Sequence, residues 1–98
     1  MKYQVLVNGS NYLIEMDKGT NKYGFFQTLY VEQNDIEAAK DKALKIIQND
    51  RTFNQTIKNK ENDPPRLNIE EIEEIEALQE NTLGRSFYIE KKLWQFWK

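Results

Sequence analysis

The side chains best placed to do chemistry lie in Arg66–Glu80, RLNIEEIEEIEALQE, where five glutamates fall within residues 70–76. Carboxylate oxygens are the ligands of Ca²⁺ and Mg²⁺, but loops that hold those ions mix Asp, Asn and Gly in a turn. Here isoleucines separate the acids, so a solvated acidic face accounts for them better than a metal site does. The functional counterpart is an acidic surface offered to a basic partner, where it raises association rate and selectivity. Glu70, Glu71, Glu73 and Glu74 are therefore candidate partner contacts, and no metal or other cofactor is expected.

Nucleophilic and general-base chemistry has little to work with. The chain has no cysteine and no histidine, which removes thiolate nucleophiles, the commonest general base and the commonest metal ligand. Ser10 and Ser86 are the only serines and have no histidine to activate them. What is left for an enzyme is a carboxylate pair such as Glu15 and Glu32 near Tyr30. The expectation is a protein that is not an enzyme.

The other chemically distinctive stretch is the C-terminal KKLWQFWK, Lys91–Lys98, which holds both tryptophans, Trp94 and Trp97. Indoles with flanking lysines suit a membrane-interface anchor, a stacking platform for single-stranded nucleic acid or a protein interface. The plainest expectation is an end segment that packs back on the domain. Charge separates the two stretches. Residues 66–82 carry one arginine against six glutamates, and residues 83–98 carry four basic groups against one acid. The whole chain has a formal net charge of −2, so double-stranded nucleic acid is an improbable partner.

These groups need a scaffold, and the length of 98 residues fits a single domain spanning 1–98. The composition, 39% hydrophobic and 12% aromatic, is that of a folded chain and not of a disordered one. No apolar run reaches the length of a membrane span, and MKYQVLVNGS lacks the apolar core of a signal peptide. A cytoplasmic protein is expected.

The most legible scaffold is Gly24–Asp50, read as a strand, a capped turn and an amphipathic helix. Before it, Lys2–Val7 and Tyr12–Met16 flank Asn8-Gly9, a strong hairpin signal because a type I′ turn needs positive φ at both central residues. A turn on Asn8-Gly9 or on Gly9-Ser10 puts Tyr3, Val5, Val7, Tyr12, Ile14 and Met16 on one face, the core face. Leu6 and Leu13 then lie on the opposite, otherwise polar face. After the polar link Asp17–Lys22, a third strand, Phe25–Glu32, is apolar on both sides. Phe25, Leu29 and Val31 alternate with Phe26, Thr28 and Tyr30, and the pattern does not choose between them.

Asn34 reads as the helix N-cap, with Glu37 completing a capping box and Asp35 in the first turn. Ile36, Ala39, Ala43, Ile46 and Ile47 recur at helical spacing. Asn49–Arg66, closing on Asp63-Pro64-Pro65, reads as a loop pinned by Phe53 and Ile57 through a short helical turn. Residues 67–78 fit a helix, with Ile69, Ile72, Ile75 and Leu78 every three residues, or a strand over 67–75. The strand is preferred, with a bulge near Glu70-Glu71 returning Ile72 to the face of Leu67 and Ile69. Ser86–Glu90 reads as a last strand, with 67–75 as its nearest neighbour in sequence.

The expected architecture is α+β: an antiparallel sheet, β-β-β-α followed by one or two further strands, with one principal helix on one face. This order and the helix start Asp35-Ile36-Glu37-Ala38-Ala39 loosely resemble, over about the first half of the chain, the antitoxin half of HicA–HicB toxin–antitoxin pairs. That family's usual Pro-Gly-Cys segment before the helix is absent, and the corresponding stretch reads LYVEQNDIEAA. No membership is assigned on it. The function expected is that of a small non-catalytic protein-binding or accessory module of the inhibitor, antitoxin or immunity type. Leu6, Leu13, Phe26 and Tyr30 join the glutamates and tryptophans as candidate contacts. The alternative is a regulatory homodimer packed through Leu6, Leu13 and the third strand, binding a small ligand or nucleic acid.

Overall fold

In the computed structural model, which describes residues 1–16, 19–79 and 85–90, two long strands form the spine. They are β1 (Lys2–Met16) and β2 (Gly19–Glu32), followed by α1 (Ile36–Gln48), the one-turn α2 (Arg51–Asn54), β3 (Arg66–Ile75) and β4 (Ser86–Ile89). The four strands form one antiparallel sheet in the order β3-β1-β2-β4. The fold is α+β as expected, but the order is β-β-α-β-β instead of β-β-β-α with later strands. Asp17, Lys18, residues 80–84 and the tail with Trp94 and Trp97 lie outside the described residues, as does the Met16 side chain.

The difference arises at Asn8-Gly9, which is no turn. β1 runs straight through it and pairs with β2 from Lys2↔Glu32 to Met16↔Gly19. Gly9 faces Phe25 and Tyr12 faces Tyr23, so Ser10 and Asn11 together oppose Gly24 in a β-bulge. Asn11 takes the left-handed conformation there, at φ 60°, which asparagine tolerates better than most residues. The glycine serves packing: a Cβ on Gly9 would lie 2.1 Å from the Phe25 ring. Tertiary contact with that ring outweighs the local turn preference.

The bulge explains why the face assignment still holds. A straight strand would send Val7 and Tyr12, an odd number of residues apart, to opposite faces. One extra residue restores the alternation, as a hairpin would also have done. Tyr3, Val5, Val7, Tyr12 and Ile14 are all buried on one side. From β2 the same side takes Phe25, Gln27, Leu29 and Val31, which decides the question the sequence pattern left open.

α1 covers this side through Ala39, Ala43 and Ile47. Alanine at two successive turns allows the helix close to the sheet. Its N-cap is Asp35, one residue later than expected, and its carboxylate accepts from the Ala38 N–H at 2.8 Å. Ile36, expected on the core face, is exposed. Asp50 caps α2 by accepting from the Phe53 N–H at 3.2 Å, and the Phe53 ring packs against those of Tyr12 and Phe25, which also touch each other.

The loop before the two prolines is tied to the bulge. The Asn59 amide donates to the Asn11 carbonyl and accepts from the Leu13 N–H, both at 2.8 Å. The Asn11 amide donates to Asp63 at 2.8 Å, and Lys22 pairs with Asp63 at 3.1 Å. The Asn11 N–H donates to the Glu90 carboxylate, tying β4 to the same point. Ile57 bridges to Ile14, so this loop extends the sheet on the β1 edge beyond β3.

β3 is a strand with the anticipated bulge. Val7 faces Ile69 and Leu6 faces Glu71, leaving Glu70 as the extra residue, and Leu67, Ile69 and Ile72 all pack against the core. β4, however, pairs with Tyr23–Phe26 of β2 and not with β3. β1 already occupies the inner edge of β3, and the open edge of the central pair belongs to β2.

Candidate functional site

Both helices lie on the core side, and no described helix or strand packs on the other face of the sheet. Cross-strand partners share a face, so the register gives this outer face in rows. Glu73, Gln4 and Tyr30 form one row; Glu71, Leu6 and Thr28 the next; Asn68, Asn8, Phe26 and Ser86 a third. Tyr88 follows, opposite Gly24.

The rows sort the residues singled out from the sequence. Leu6, Phe26 and Tyr30 share the central part of the outer face. Leu13 is on that face but beyond the bulge, opposite Lys22, and does not join them. The glutamates are divided. Glu71 and Glu73 face outward, Glu70 sits at the bulge, and Glu74 opposes Tyr3 on the core side. The Tyr3 hydroxyl is raised in pKa by burial first, then by the negative charges of Glu74 and Asp35, which agrees with that placement. The bulge thus turns what reads as one acidic run into two separate surfaces.

Gln4, Leu6, Glu71, Ile72 and Glu73 line a depression of about 280 Å³. An apolar side chain sharing a depression with two carboxylates suits the alkyl stem and charged head of a lysine or arginine. Beside it, the rings of Phe26 and Tyr88 pack 5.7 Å apart, and the Asn8 amide donates to the Tyr88 hydroxyl at 3.1 Å. Phe26 and Tyr88 are 41% and 39% exposed. Tyr88 was not singled out from the sequence. Its signal is Gly24, the one position on this face of β2 without a side chain, where a Cβ would lie 2.2 Å from the Tyr88 ring.

Arg85 was missed altogether. Its side chain is only 7% exposed and pairs with Asp50 at 2.9 Å. The guanidinium carbon sits 4.3 Å from the centre of the Phe53 ring and 5.5 Å from that of Phe25. Its Nε has no partner among the described residues. The Asp50 carboxyl is held below the usual carboxylate range, chiefly by the Phe53 N–H and then, against the effect of burial, by Arg85. This pair fastens the start of β4 to the N-terminus of α2.

On the core side a cleft of about 310 Å³ opens between the helices and the β1–β3 edge, lined by Tyr12, Leu44, Ile47, Phe53 and Leu67 among others. Burial pushes the Tyr12 hydroxyl up to about 12, so it remains protonated at neutral pH and is unsuited to act as a base. Glu15 and Glu32 stand at opposite ends of the β1–β2 ribbon, opposite Thr20 and Lys2, and share no site. Among the described residues no group of three or more acids could hold a metal ion, and no helix is long and apolar enough to cross a membrane.

The fold and surface define an α+β protein with one antiparallel sheet, covered by helices on one side. No family model matches the chain, and no curated protein and no solved structure matches it. The β-β-β-α order that carried the resemblance to HicB-type antitoxins is not the order observed.

Proposed function

We propose that the chain is a small non-catalytic protein-binding module, of the inhibitor, antitoxin or immunity type, that docks a basic polypeptide on its outer sheet face. One observation carries this reading. Leu6, opposite Glu71, lines a surface depression together with Glu71 and Glu73, next to the exposed Phe26–Tyr88 pair, on a face that no described element covers. Aromatic anchors are the usual composition of an interface centre, and charged groups that of its rim. The glutamates steer the encounter and the rings hold the complex.

Affinity capture from the host's lysate, followed by rebinding of the purified partner, tests it. Phe26→Ala is expected to weaken binding by about 30-fold, the effect of losing a hot-spot aromatic. Glu71→Lys with Glu73→Lys is expected to slow association about tenfold at low salt, with a smaller effect at high salt. No recovered partner, or a partner indifferent to all three changes, would remove this function. A regulatory domain that binds a small ligand is the second reading, favoured by the cleft beside Tyr12. A ligand that raises the melting temperature of the wild type, but not of a Leu44→Trp variant, would support it instead.

A further inference from the structure

We propose that β4 is a self-association edge, through which two copies of this chain join antiparallel and continue the sheet across a two-fold axis. The large hydrophobic side chains exposed among the described residues concentrate here: Phe87 at 42%, Tyr88 at 39%, Ile89 at 54%, and Phe26 on the adjoining strand at 41%. β4 is the last strand of the sheet, so no described strand lies along its far edge. The Glu90 N–H donates to the Lys22 carbonyl at 3.0 Å. By the alternation of an antiparallel ladder, residues 86, 88 and 90 turn their backbone groups to β2, while those of Phe87 and Ile89 point away from the sheet. An apolar edge that no described strand pairs is a template for another strand.

Charge selects a second copy as that strand. Ser86–Ile89 carries no charge, Arg85 is committed to Asp50, and Glu90 to the Asn11 N–H. Self-pairing of this edge therefore meets no repulsion. The opposite edge, β3, carries Glu70, Glu71, Glu73 and Glu74, which confront one another when that edge self-pairs about its middle at Ile72.

Geometry then fixes the register. A two-fold axis perpendicular to the sheet pairs residues that share a face. Centring on Tyr88 sets Phe87 against Ile89 of the second copy, twice, as hydrogen-bonded pairs, with Tyr88 against Tyr88 between them. Moving the centre to Phe87 sets Ile89 against Arg85, and moving it to Ile89 sets Tyr88 against Glu90. Only the Tyr88 centre gives each of Phe87, Tyr88 and Ile89 an apolar partner, with Ser86 against Glu90 at either end. Both outer faces then lie on the same side of the joined sheet and remain open, so this inference does not depend on the docking function proposed above.

Sedimentation equilibrium of the full chain from about 1 to about 300 micromolar tests it. The wild type is expected to dimerise. Ile89→Lys is expected to raise the dimer dissociation constant by about 100-fold, with the far-ultraviolet circular dichroism unchanged. Ile89→Pro is expected to act alike without adding charge, because the N–H it deletes points away from β2. In the wild type, hydrogen exchange at the Phe87 and Ile89 amides is expected to slow as concentration rises. A monomer across the whole range, including one whose β4 edge instead takes a strand of a different protein, overturns the proposal. So do a dimer that neither variant weakens and Phe87 and Ile89 amides left unprotected at the highest concentration.

Discussion

Asp50→Ala is expected to destabilise the fold by about 3–5 kcal/mol, the range for breaking a buried ion pair from one side. The change leaves the Arg85 guanidinium in place, 7% exposed over the Phe53 ring, with no carboxylate to balance it. It also deletes the cap of α2, whose side chain accepts from the Phe53 N–H. Removing the other partner is expected to be milder. Arg85→Met keeps an apolar stem on the ring, and Asp50 keeps the Phe53 hydrogen bond, for a cost of about 1–2 kcal/mol. Urea unfolding of both variants measures the difference, and equal costs would contradict the asymmetry. Each kcal/mol lost lowers the melting temperature by about 4–8 °C in a domain of this size.

The pH dependence carries a sign that follows from Asp50. Its folded pKa is depressed, so its contribution is complete above the unfolded value of about 3.9 and is lost as pH falls through the folded value. The wild type is expected to weaken below about pH 4, and Asp50→Ala to show a flatter acid limb, with the two curves converging at low pH.

Gly9→Ala is expected to cost about 3 kcal/mol, at the upper end for overpacking a core. The added methyl would stand 2.1, 2.5 and 2.7 Å from three atoms of the Phe25 ring. That ring has no exposed surface and is enclosed by Tyr12, Phe53 and Phe87, with centroids 5.2, 5.5 and 5.8 Å away. Gly24→Ala is the matched control, because its methyl would meet the Tyr88 ring at 2.2 Å. Tyr88 is 39% exposed and can swing outward, giving up its bond from Asn8, so the expected cost is below about 1 kcal/mol. Phe25→Leu is expected to recover part of the Gly9→Ala loss in the double variant, the coupling expected of residues in contact. A hairpin turn at Asn8-Gly9 would place no such coupling between positions 9 and 25.

These variants mark where sequence pattern stops being informative. The core face of β1 was legible because alternation survives either a hairpin or a bulge, and the spacing of Ile69 and Ile72 announced the bulge in β3. Asn8-Gly9 misled because turn preference is local, whereas the Phe25 ring that claims Gly9 arrives from another strand. The buried side of β2 depended on where α1 lands. Of the site, Leu6, Phe26 and Tyr30 were legible as surplus apolar groups, but the division of the glutamates followed from the single extra residue Glu70. Arg85 was illegible because its cage is assembled from β2, α2 and the start of β4, which no linear spacing records.

The docking proposal is tested most directly by site-specific photo-crosslinking in the host's lysate. A photoreactive residue at position 26, on the outer face, is compared with one at position 36, equally exposed on α1. The account predicts one discrete, salt-sensitive crosslinked polypeptide from position 26, absent from position 36 and abolished by Glu71→Lys with Glu73→Lys. Crosslinks of equal yield from both positions, or none from position 26, would contradict it.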